Sequence, residues 1–110
     1  MANIDVGKLA AAMLRAAQGK LQAHWNDVRP FAQTEMKKLA ETALQIQLGQ
    51  ADGSLTKEQA EILLAMQANA SQAVLTALET VGMIAAQDAI NAAIDVLKDA
   101  VNNAVGIAFL

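Results

Sequence analysis

One histidine, no cysteine and five methionines bound the chemistry open to this sequence. A thiolate nucleophile, a disulfide and a thiolate metal site all need cysteine, so each is excluded. His24 alone cannot supply the paired Glu-x-x-His motifs of a di-iron bundle, nor a multi-histidine zinc site within one chain. A haem held by His24 and one of Met13, Met36, Met66 or Met83 would satisfy the ligand count. Methionines at helical spacing are more often core filler, however, and His24 beside Trp25 reads as the edge of an apolar stripe. No G-x-S-x-G elbow is present to support a Ser–His–Asp triad. These residues point to no enzyme, no metal and no cofactor.

The segment from Leu48 to Gln59 has the central glycine of a calcium loop. Aligned on that glycine, Gly53 takes position six, Leu55 position eight and Asp52 position five. Position one is then Leu48, position three Gln50 and position twelve Gln59, where calcium needs carboxylates and a bidentate Glu. One carboxylate does not hold the ion, so the segment reads as a structural turn. Neither a P-loop nor a G-x-G-x-x-G fingerprint occurs. Lys37-Lys38, the one basic pair, is too small to mark a nucleic-acid interface.

The end of the sequence, Ala104-Val105-Gly106-Ile107-Ala108-Phe109-Leu110, carries no charged side chain. Leaving it in water would cost about 25 cal/mol per Å² of apolar surface. It is therefore expected to dock against the bundle, across a dimer interface, into a partner protein, or onto a lipid or granule surface. Lipid-surface helices usually carry basic residues on the polar face, whereas this one carries Asp88, Asp95 and Asp99, which favours protein. Val101, Val105, Ile107, Phe109 and Leu110 are the expected contact residues.

The elements that must position these residues are helical. Of 110 residues 25 are alanine, the best helix former because helix formation costs it no side-chain entropy. Hydrophobic residues reach 55% and charged residues only 17%, which excludes simple disorder. Aromatics are limited to Trp25, Phe31 and Phe109, so the core is thin per residue and self-association would add burial. Charge is uneven. Residues 1–38 hold six basic against three acidic side chains, net +3; residues 39–110 hold two against eight, net −6. The ordinary reading is that the two halves pack side by side with complementary charge.

Val6, Leu9, Met13, Ala17, Leu21, His24 and Val28 recur at helical steps and predict a helix over 3–28, with Asn3 as its cap. Pro30 marks a boundary, as a new start or a kink. A second helix follows over 30–48, with Ala32, Met36, Leu39, Ala43 and Ile46 on one face. Gly49 and Gly53 read as a helix stop and a turn. Thr56-Lys57-Glu58-Gln59 has capping-box form, with Leu55 as a staple. The last helix spans 56–108, with Ile62, Leu63, Met66, Ala70, Val74, Ala77, Leu78 and Val81 as its first stripe. Ile90, Ala93, Ile94, Leu97, Val101, Ala104, Val105 and Ala108 form the second. The absence of proline or a polar loop favours one helix of about 75 Å, with division near Gly82 as the alternative.

The expected fold is an all-α helical bundle of long amphipathic Ala-rich helices, one domain over 1–110, completed by homo-oligomerisation, most simply as a dimer. The expected role is a cytoplasmic structural or interaction protein that binds itself or another protein. An amphipathic protein of a membrane or granule surface is the runner-up, and a cofactor-binding bundle comes third. The N-terminus lacks the form of a signal peptide, and no stretch is apolar enough to span a membrane.

Overall fold

Among the described residues, alanine-rich sequence with spaced turn signals folds into four α-helices: α1 (Val6–Leu21), α2 (Trp25–Ala51), α3 (Lys57–Thr76) and α4 (Met83–Val105). The computed structural model describes residues 3–78 and 81–110, and no strand occurs among them. The all-helical expectation is correct. Several boundaries differ from the sequence reading, each for a local reason.

Asp5, not Asn3, caps α1, its carboxylate accepting from the Lys8 amide at 2.9 Å. The Ile4 amide donates to Gln47 Oε1 at 2.7 Å, which ties the approach to α1 onto α2. The helix expected over 3–28 ends at Leu21. Gln22 stands at φ 27°, outside helical geometry, and the 3₁₀ turn Gln22–His24 follows. The corner therefore precedes Pro30, which lies inside α2 near its start. Pro30 faces solvent, so water can satisfy the carbonyl that loses its helical donor.

α2 runs past the stop expected at Gly49 and ends at Ala51. Gly49 is buried, and a Cβ there would collide with the Leu55 side chain. Glycine is required at this point by a close approach, whereas Gly53, at φ 78°, makes the reversal itself. The capping box of α3 is complete: Thr56 Oγ1 accepts from the Gln59 amide at 3.1 Å, and Gln59 Oε1 accepts from the Thr56 amide at 2.9 Å.

The long helix favoured over 56–108 is two helices. α3 ends at Thr76 and α4 begins at Met83 with Gly82 as its cap residue. Residues 79 and 80, which the expected helix spans, lie outside the described residues. Gly106, at φ 77°, closes α4 in the left-handed conformation, its amide bonded to the Asn102 carbonyl.

α1 packs most extensively on α4 and then on α2, whereas α3 packs on α2 and α4 and does not reach α1. The core alternates bulk with alanine. Met13, Leu21, Met36, Leu39, Ile46, Leu75, Ile90 and Leu97 are fully buried among Ala17, Ala32, Ala40, Ala43, Ala86, Ala89 and Ala93. Small residues let the helices approach closely, so few large side chains fill the interior. The radius of gyration is 13.7 Å, close to the roughly 13 Å usual for a compact chain of this size. Among the described residues one ion pair is present, Lys38 Nζ to the buried Glu35 carboxylate at 3.2 Å, and it lies within α2. The charge difference between the two halves is not expressed as ion pairs there.

Candidate interaction surface

The residues considered for chemistry are dispersed. Met13 and Met36 are fully buried in the core, Met66 and Met83 are exposed, and His24 is half-buried in the 3₁₀ turn beside Trp25. Asp52 accepts from the Ser54 amide at 2.8 Å, which makes the calcium-like segment a side-chain-stabilised turn. Bonds from the Ser54 side chain and amide hold the Asp52 carboxyl below its ordinary range. No group of three or more metal-binding side chains occurs among the described residues.

The five expected contact residues divide. Val101 is fully buried, Phe109 is 9% exposed, and Val105 and Leu110 pack against the core from its edge. Only Ile107, at 56%, faces solvent. The turn that folds this segment back is built on Asn102, whose Oδ1 accepts from the amides of Phe109 and Leu110 at 2.9 and 2.8 Å. Four of the five residues thus serve the chain's own interior. The sequence pattern showed that the segment must dock; the role of Asn102 in docking it locally had no pattern.

The larger apolar surface is on α3, and it faces away from the expected side. Its buried residues are Ala60, Leu64, Ser71 and Leu75, with Leu63, Val74 and Leu78 half-buried beside them. Ile62, Met66, Ala70 and Ala77, which the sequence reading placed in the stripe that packs, are exposed. The cause is that α3 is apolar nearly all round. No charged residue stands between Glu61 and Glu79, so hydrophobicity alone does not fix which face turns inward. Leucines at 63, 64, 75 and 78 bring more bulk to the inner side. Ser71 is accommodated there because it accepts from Gln67 Nε2 at 3.2 Å.

The outer face of α3 therefore presents Ile62, Ala65, Met66, Asn69, Ala70 and Ala73 to solvent, with Ala77 just beyond the helix end. Ile62 is 60% exposed and Met66 65%, among the largest apolar exposures in the molecule. A shallow groove lined by Gln45, Leu55, Gln59, Ile62, Leu63 and Met66 continues this surface onto α2. Met83 and Ile84, both strongly exposed, open α4. Among the described residues no helix is long and apolar enough to cross a membrane. Compared with protein-family models, curated proteins and solved structures, the chain matches none.

Proposed function

We propose that this chain is a non-enzymatic assembly protein that associates with itself through an apolar helix face, and that the contact lies on the outer side of α3. The supporting observation is the outer row of α3 from Ile62 to Ala77, which carries no charge and exposes Ile62 and Met66 one turn apart. The largest apolar patch on a folded monomer, typically about 300–600 Å², is often functional.

The expected strength follows from size. α3 has 20 residues, and a helix of that length is about 30 Å long and about 10 Å wide, giving a footprint of roughly 300 Å². A standard interface buries about 800 Å² per partner. The groove beside Leu55 and Leu63 enlarges the contact without bringing it to that size. The expected product is therefore a weak, concentration-dependent pair of chains that each fold alone, in place of an obligate dimer. Light scattering behind size exclusion over a dilution series tests this. Mass rising with concentration supports it, and a folded monomer throughout the series overturns it.

A further inference from the structure

Gly19 lies within α1, where glycine is unfavourable relative to alanine. At Gly49 a close neighbour requires it; at Gly19 an added Cβ would meet nothing within 4 Å. Gly19 instead forms part of the wall of an open cleft of about 530 Å³. The other residues of that wall are Arg15, Gln18, Gln22, Trp25 and Asn26. A side chain at position 19 would enter this space. We infer that the cleft binds a small anion carrying a planar ring, of the nucleoside monophosphate class.

Trp25 supplies the platform for the ring. It is half-buried against the core and lends its remaining surface to the cleft. An indole anchored in this way offers a flat apolar face on which a base stacks. Arg15 supplies the charge. It is the one charged residue of the lining, and among the described residues it makes no ion pair. Its planar guanidinium donates in a fork that matches two phosphate oxygens. Residues 1–38, with six basic against three acidic side chains, add to the attraction for an anion.

The carboxamides of Gln18 and Asn26 both donate and accept, as the edge of a base requires. A simple aromatic carboxylate would use Trp25 and Arg15 but leave these amides to water. The volume lies within the range of about 300–1,000 Å³ usual for small-molecule sites. Gln22 fixes the shape of the corner. It is the one non-glycine residue at positive φ among the described residues, and its Nε2 donates to the Gly19 carbonyl at 3.0 Å. That bond ties the end of α1 to the turn that leads into Trp25.

Trp25 is the only tryptophan and the chain has no tyrosine, so intrinsic fluorescence reports on the cleft alone. Adenosine monophosphate, titrated into the full chain and excited where the nucleotide does not absorb, should quench it saturably. Adenosine should need about tenfold more to reach half-saturation, since it lacks the charge-assisted bonds to Arg15. Arg15→Gln should weaken the monophosphate about tenfold and leave adenosine unchanged. Gly19→Leu should abolish quenching by both while helicity is retained. Absence of saturable quenching by the monophosphate overturns the inference, as does quenching that survives Gly19→Leu in folded protein. Equal affinity for adenosine and its monophosphate also overturns it, because Arg15 would then hold no phosphate. No residue of the cleft belongs to α3, so quenching and self-association can fail separately.

Discussion

Asn102 joins the end of α4 to the segment that follows it. Its Oδ1 accepts two backbone amides that would otherwise be left on a part-buried turn. Asn102→Ala should destabilise the fold by about 1–3 kcal/mol, the usual result of stranding such donors. Asn102→Asp keeps the acceptor and should stay much closer to wild type; urea denaturation at neutral pH checks both. Asp52 supplies a pH signature. Its folded-state pKa is lowered by Ser54, so the stabilisation is present above the ordinary aspartate value near 3.8 and is lost as pH falls through the folded value. Wild type should therefore exceed Ser54→Ala in urea midpoint near pH 5, with the difference closing at lower pH. Gly49 tests the close approach of Leu55. In an open helix Gly→Ala gains about 1 kcal/mol, but here the added Cβ meets Leu55, so Gly49→Ala should be destabilising by about 1–3 kcal/mol. Thermal melts should show that loss shrinking when Leu55 is also replaced by alanine.

Among the elements, α3 separates what the sequence shows from what it conceals. The inward faces of α1, α2 and α4 were legible because polar rows stand opposite the apolar ones. Leu9, Met13, Ala17 and Leu21 are buried on α1, Ala32, Met36 and Leu39 on α2, and Ile90, Ala93 and Leu97 on α4, as their spacing indicates. The capping box at Thr56 was legible because its chemistry is local. On α3 both sides are apolar, so periodicity supplied a stripe without its direction, and packing against α2 and α4 decided it. The corner at Gln22 was hidden for a related reason: nothing in a local run of Gly, Lys, Leu and Gln demands a positive φ, whereas Pro30 drew attention to itself and is absorbed by α2. Alanine scanning separates the two faces of α3. Leu64→Ala should cost about 2–4 kcal/mol as a buried truncation, and Ile62→Ala, measured in dilute protein, should change stability by no more than about 0.5 kcal/mol. Comparable losses at both positions would mean that the helix is rotated from the orientation described.

At the scale of the whole molecule, alanine has two consequences. It lets α1, α2, α3 and α4 pack around a small set of large side chains, so the thin composition does not by itself require a partner. It also leaves α3 with an outer face that lacks charge and holds Ile62 and Met66 in water. The first consequence makes a folded monomer possible, and the second makes association favourable at sufficient concentration. The decisive measurement is light scattering behind size exclusion on wild type and on Ile62→Glu/Met66→Glu, with helicity recorded for both. Wild type should move from 11.5 kDa toward twice that mass as concentration rises, while the double variant keeps its helicity and stays monomeric. A wild type that remains monomeric at every concentration, or a folded double variant that associates as strongly as wild type, would contradict the account.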